Sequence, residues 1–295
     1  MKKVAIMGLG LMGGSLGLAL KARGFAGLVS GYARREETRR EALHRGVVDE
    51  ACARPGEAVR DADLVVLCTP ILTIPELVRD CLSGLKPEAL LTDVGSTKAG
   101  LIHLLDDMLQ GHSPVFIGSH PIAGSEKQGL EAARPDLYQA AVVVVTPTER
   151  TPPARAGDLR RFWESLGAMV RLMTPEAHDR VMARTSHLPH VVATLLAVTV
   201  GRDGDLRQTG AFCGPGFRDT SRVAEGSPDV WRDILQSNGT AVLGELKTFR
   251  DELDRVINLL QQQQYTDIKE WLARGGDSRR ALLQARQQCK MEGEA

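Results

Sequence analysis

Short apolar runs and amphipathic stretches take turns through the first 174 residues of this chain. The runs "KVAIMG", "GLVSGYAR", "ADLVVLCTP", "ALLTDVGS", "VFIGSHP" and "YQAAVVVVTPTE" read as strands, several of them apolar without alternation. Such strands belong in a sheet covered on both faces. Between the first of them lie stretches with helical spacing. These are "MGGSLGLALKARG", closed by Gly24, the charged "REETRREALHRG", closed by Gly46, "TIPELVRDCLSGLKP" and "KAGLIHLLDDML". Strand and helix in turn predict an α/β fold built on a doubly wound parallel sheet.

A helix with a Pro-rich entry, "TPPARAGDLRRFWESLG", and a final strand, "AMVRLMT", complete this half. From Pro175 the strand signal stops and long helical patterns take over, which places a domain boundary near Thr174. The expected organisation is a first domain over 1–174 and an all-α domain over 175–295. Within the latter, "HVVATLLAVTV" is apolar almost all round and reads as a helix buried on most sides. Either a homodimer built through this half or a central helix of a monomeric bundle accounts for it. The run Gln261–Gln264 reads as the solvated face of a helix.

Composition narrows the class. Lys plus Arg equals Asp plus Glu, 37 each, so no basic excess points to nucleic acid. The five cysteines, at 52, 68, 81, 213 and 289, are odd in number and unpaired in spacing. That is neither a disulfide framework nor a zinc pattern and fits a reducing cytoplasm. No apolar run is long enough to span a bilayer. The start "MKKVAIMG" looks like the first part of a signal peptide, but glycines break it and no cleavage site follows. A buried first strand is the better account.

Gly8, Gly10 and Gly13 stand in G-x-G-x-x-G spacing between the first strand and the first helix. A dinucleotide needs this arrangement. Gly8 allows the tight turn, Gly10 lets a pyrophosphate reach the backbone, and Gly13 lets helix and strand pack closely. Leu11 and Met12 contribute to the helix N-terminus, whose free N–H groups and positive dipole end favour the phosphates. Thr69, after the apolar "VVLC" run, joins the same set. A Rossmann-type domain follows. An acid after the second strand would favour NAD, but the run there is Ala33-Arg34-Arg35. The expected cofactor is therefore NADP rather than NAD.

A nicotinamide cofactor implies hydride transfer, and loss of hydride from a carbinol needs a base for the hydroxyl proton. Of seven histidines, His120 is best placed, in "FIGSHPIAGSE", which reads as a strand running into a loop at the ligand crevice. Ser96 and Lys98, in "TDVGSTK", share that rim. Ser96 can orient a histidine, whereas Lys98 reads as readily as a locally satisfied loop residue. His187 and His190, three apart, share one helix face. No carboxylate or cysteine pattern beside them supports a metal. Arg218, Arg222 and Trp231 follow a glycine-rich turn, and either arginine can grip a carboxylate.

These stretches together resemble the prephenate and arogenate dehydrogenases of tyrosine biosynthesis. "GLGLMGGSLGLAL", "VVLCTP", "TDVGSTK", "GSHPIAGSEKQG", "TSHLPH" and "GFRDTSRVA" occur in the family's order and span nearly the whole chain. The resemblance implies oxidative decarboxylation of a small cyclohexadienyl substrate. It implies His120 as the catalytic histidine on the ring hydroxyl, with Ser96 orienting it or the hydroxyl. It implies Arg222 as the carboxylate-binding arginine, with His187, His190 and Trp231 lining the pocket. It also implies a dimer through the helical domain. The acid usual in NAD-using members is missing, and neither a fused chorismate mutase segment nor a regulatory domain is expected.

Overall fold

The computed structural model describes residues 1–124, 127–202 and 204–291. Positions 125 and 126 of the "GSHPIAGSEKQG" motif and the side chain of Cys289 lie outside the described set. The chain forms two compact units, Met1–Gly239 and Thr240–Ala295.

Six strands form the main sheet: Lys3–Met7 (β1), Leu28–Tyr32 (β2), Glu50–Cys52 (β3), Leu64–Leu67 (β4), Leu90–Asp93 (β5) and Val115–Phe116 (β6). Their order is β3-β2-β1-β4-β5-β6, and every pairing is parallel. Helices Leu11–Ala22 (α1), Glu36–His44 (α2), Pro55–Val59 (α3), Ile74–Cys81 (α4) and Ala99–Met108 (α5) connect them. Alternation divides each strand between two cores. Val4, Ile6, Leu64 and Val66 face a cluster with Leu16, Tyr138 and Trp163. Ala5, Met7, Val65 and Leu67 face another with Ile74, Leu101 and Leu105. The doubly covered Rossmann-type sheet predicted from the apolar runs is therefore present. The β3–α3 segment carried no strand or helix signal, because it is short and polar at its edges.

The strand expected around His120 needs correcting. "VFIGSHP" is not a single strand of the parallel sheet. It breaks after β6, and Gly118–Pro121 (β7) joins a separate three-stranded sheet with Val142–Thr146 (β8) and Met169–Leu172 (β9). The β7–β8 pairing is antiparallel. Gly118 permits the switch, since a Cβ there would press on the Thr146 hydroxyl, Ile102 and the Lys98 stem. His120 consequently sits on a strand rather than in a loop. Pro153–Ser165 (α6) connects β8 to β9.

The remaining described chain is helical: Pro175–Met182 (α7), Leu188–Val200 (α8), Leu206–Ala211 (α9), Pro215–Ser221 (α10), Pro228–Ser237 (α11), Gly239–Gln261 (α12) and Tyr265–Met291 (α13). A π-helical turn over 183–187 links α7 to α8. Pro189, in the first turn of α8, has no N–H to give to a preceding carbonyl, which favours such a widening. Helix α8 is less buried than its composition suggests, with Leu195 and Val198 exposed. The glutamine run is a turn and not a helix face: α12 ends at Gln261, and Gln263 takes a positive φ of 56°. Among the described residues no helix is long and apolar enough to cross a membrane.

Candidate active site

The glycine-rich loop lies at the carboxyl end of β1. Gly8 has a φ of +112°, which an L side chain rarely adopts, and its N–H donates to the Tyr32 carbonyl at the end of β2. A Cβ on Gly13 would drive into the Gly8 carbonyl, so this glycine sets how closely α1 approaches β1. A Cβ on Gly10 would meet nothing, leaving open space beside the N-terminus of α1. No side chain caps α1 and no acid stands in its first turn. Its free N–H groups therefore face this space with the positive dipole end. The buried Thr69 hydroxyl, beside Gly8, has no partner among the described residues. Open space, free donors and an unmatched hydroxyl together fit a dinucleotide pyrophosphate. At the end of β2, Ala33 is buried while Arg34 and Arg35 are exposed. Arg39, which the sequence did not single out, binds the Ala33 and Arg34 carbonyls at 2.8 Å each.

A buried polar network stands at the end of β5. Lys98 and Asp93 are both fully buried and form an ion pair. Asp93 also accepts from the Gly95 and Ser119 backbone N–H groups, at 2.8 and 3.1 Å. Burial lowers the Lys98 pKa, and the Asp93 charge opposes that shift. Lys98 is thus a loop residue satisfied by a near neighbour in the chain, with its ammonium inside the buried network. Ser96 is half-buried, two residues before it.

Asp179, on α7, serves two purposes. Helix α5 has no cap of its own. Asp179 supplies one from a distance, accepting from the Lys98 and Ala99 N–H groups at 2.8 and 2.9 Å. It also accepts from His178 Nδ1 at 2.8 Å. That bond puts the His178 proton on Nδ1 and leaves Nε2 as acceptor in the neutral ring. His178 Nε2 lies 2.8 Å from His120 Nδ1. His120 Nδ1 is thus the donor, and its Nε2 carries the lone pair. Burial holds the His120 pKa well below the usual histidine value, and His178, Lys98 and His187 add to the effect. His120 is therefore neutral at pH 7, with Nε2 as its acceptor nitrogen. His178 and Asp179 were not legible as its partners, since the His120–His178 contact spans 58 residues.

His187 and His190 meet at Trp231. His190 stacks on the indole with centroids 3.5 Å apart, and His187 meets it edge-on at 6.0 Å. Burial pushes the His187 pKa down to about 4 and lowers that of His190. His187 Nε2 and His190 Nδ1 are buried without partners among the described residues. Arg222 follows α10 and Arg218 lies on it; both are exposed, and neither has an ion-pair partner among the described residues. No group of three or more metal-ligating side chains occurs among the described residues.

A dinucleotide cradle at the carboxyl end of β1 and a neutral, hydrogen-bonded histidine on β7 of the smaller sheet together fit a nicotinamide-linked oxidoreductase. Comparison with known proteins makes this specific. Residues 16–172 match the family model described as the prephenate dehydrogenase nucleotide-binding domain, and residues 174–274 that of the prephenate dehydrogenase dimerization domain. The chain belongs to the prephenate dehydrogenase family. It is 34% identical over 283 residues to cyclohexadienyl dehydrogenase of Zymomonas mobilis, covering 95% of this chain and 96% of that one. It is 32% identical to prephenate dehydrogenase of Bacillus subtilis, covering 95% and 76%. Among solved structures, prephenate dehydrogenase of Aquifex aeolicus, in complex with hydroxyphenyl propionate and NAD+, superposes with a TM-score of 0.89. The identity there is 33%, over 96% of this chain and 98% of that one.

Proposed function

We propose that the protein catalyses the oxidative decarboxylation of prephenate to 4-hydroxyphenylpyruvate, with NADP preferred over NAD, in the cytoplasm and as a homodimer formed through its helical domain. In this reading residues 1–174 bind the dinucleotide and 175–295 complete the substrate site. The observation that carries it is the relay Asp179–His178–His120, which fixes a neutral imidazole with its lone pair on Nε2. When bound, the nicotinamide supplies the hydride acceptor. Gly8, Gly10, Leu11, Met12, Gly13 and Thr69 hold its dinucleotide.

His120 takes the ring-hydroxyl proton at Nε2 as hydride leaves the same carbon. Ser96 orients the hydroxyl or the imidazole. The ring carboxylate leaves as carbon dioxide, and its bonding electrons complete the aromatic ring. His120 can then return the proton to the phenolic oxygen. Arg222 holds a substrate carboxylate by charge-assisted hydrogen bonds. His187, His190 and Trp231 line the pocket.

The cofactor preference rests on charge. No acid stands at Ala33, and Arg34, Arg35 and Arg39 gather at the end of β2, where a 2′-phosphate would need cations. Arogenate is the second reading for the substrate, favoured by the identity to a cyclohexadienyl dehydrogenase. Steady-state rates on prephenate and arogenate, each with NADP and NAD, test the whole proposal. Prephenate with NADP should give the highest kcat/KM, and Ala33→Asp should move the preference towards NAD. Faster turnover of arogenate, or an NAD preference in the unaltered enzyme, overturns the corresponding part.

A further inference from the structure

We propose that Asn238 is a positioning residue: it locks His187 in the tautomer that carries its proton on Nε2 and so presents a neutral donor to an oxygen of the substrate. The inference rests on the reading above that His187 lines the substrate pocket.

The argument begins with the amide. Asn238 is buried at the end of α11, and its Nδ2 lies 2.8 Å from the Asp179 carbonyl oxygen. A carbonyl only accepts, so the end of the amide facing it must be the NH2 group. The opposite orientation would set two oxygens against each other. The same Nδ2 lies 3.2 Å from His187 Nδ1. With its orientation already fixed by Asp179, the amide has only a proton to offer there. His187 Nδ1 therefore accepts, and the proton of the neutral ring resides on Nε2.

That Nε2–H is buried and has no partner among the described residues. Buried donors in native proteins are almost always matched, and the exceptions mark places where something else binds. The ring cannot readily turn away, because it packs edge-on against Trp231, which is itself stacked on His190. The charged and titratable groups around it are Asp179, His178, His190 and His120, with Lys98 beyond. Burial keeps the ring neutral, so it offers a hydrogen bond without a positive charge. A neutral donor can hold a carboxylate or carbonyl oxygen while stabilising carboxylate charge less than a cation would. That suits a site whose substrate loses a carboxylate.

Asn238→Asp inverts the logic. A carboxylate at this position accepts, so a neutral His187 would carry its proton on Nδ1 and turn a lone pair towards the substrate. At low pH the ring would be an imidazolium that still donates from Nε2. The variant should therefore bind prephenate nearly normally in acid. In alkali its KM should rise roughly ten- to a hundred-fold, the loss expected for a hydrogen bond to a charged oxygen. The unaltered enzyme should show no such crossover. A purely structural role for Asn238 would not produce a KM that changes with pH in this direction.

The tautomer can also be read without substrate. Long-range 1H–15N correlation spectra of the 15N-histidine-labelled full chain, with His187 assigned by its loss in His187→Gln, distinguish the two ring nitrogens. The expected result is an unprotonated Nδ1 and a protonated Nε2 at neutral pH. A protonated Nδ1 in the unaltered protein overturns the inference whatever the substrate proves to be. The expected tautomer, combined with a KM in Asn238→Asp that stays normal at every pH, overturns the substrate contact. In that case the failure lies in the reading of His187 and leaves the role of His120 intact.

Discussion

Replacing Lys98 with Met keeps most of the side-chain volume and removes the charge that neutralises Asp93. Both partners are fully buried. Asp93 would retain the Gly95 and Ser119 N–H groups but lose its counter-ion. Leaving one charge of a buried pair unmatched costs about 3–5 kcal/mol. For a unit of this size each kcal/mol shifts Tm by about 2–4 °C, so Lys98→Met should lower Tm by about 6–20 °C. The double variant Asp93→Asn with Lys98→Met removes both charges and should recover most of the loss. Calorimetry on the three proteins decides this. The same substitution has a catalytic signature. The Lys98 charge helps depress the His120 pKa, so its removal should raise that pKa. A base works only when unprotonated, so the acid limb of kcat/KM should move to higher pH. A Lys98→Met enzyme with unchanged Tm and an unchanged acid limb would refute both the buried pair and its link to His120.

Three further outcomes follow from the geometry. Gly10→Ala should fold normally, since its Cβ meets nothing, yet bind cofactor weakly because the methyl occupies the phosphate approach; Gly13→Ala should lose stability as well, as thermal melts and cofactor titrations would show. Arg222→Ala should raise the prephenate KM roughly ten- to a hundred-fold with cofactor affinity unchanged, and an unmoved KM would point to Arg218. His187 has its pKa lowered from 6.5 to about 4 in the folded protein, so the unfolded chain binds the proton first as pH falls. The gap of about 2.5 units, at about 1.4 kcal/mol each, predicts that about 3.5 kcal/mol of stability is lost as pH falls through those values. Urea midpoints should show a smaller acid loss in His187→Gln, and an equal loss would contradict the assignment.

How much of this was legible depended on whether a residue's role was local. The glycine loop was readable because turn, phosphate approach and helix packing all lie within six consecutive positions of the chain. The parallel sheet was readable because strands covered on both faces need apolar side chains throughout. His120 stood out by its place after an apolar run, although the strand it occupies belongs to the smaller sheet. The switch at Gly118 was hidden because only a single residue, and no loop, separates the two strand segments within "VFIGSHP". His178, Asp179 and Asn238 were invisible for a different reason. Their chemistry arises only when α5, α7 and the end of α11 meet. Lys98 is satisfied locally, as its loop position suggested, but nothing in its neighbours announces that it and Asp93, five residues earlier, are fully buried together.

The central claim is that His120 Nε2 accepts the substrate's hydroxyl proton, and His120→Asn tests it most directly. Asparagine keeps a hydrogen-bonding side chain of similar reach but cannot act as a base at neutral pH. Single-turnover and steady-state rates on prephenate with saturating cofactor should fall by roughly two to four powers of ten, the span usual for loss of a general base. Substrate and cofactor binding should change little, because Arg222 and the glycine loop are untouched. A His120→Asn enzyme that retains near-normal kcat at neutral pH would contradict the account.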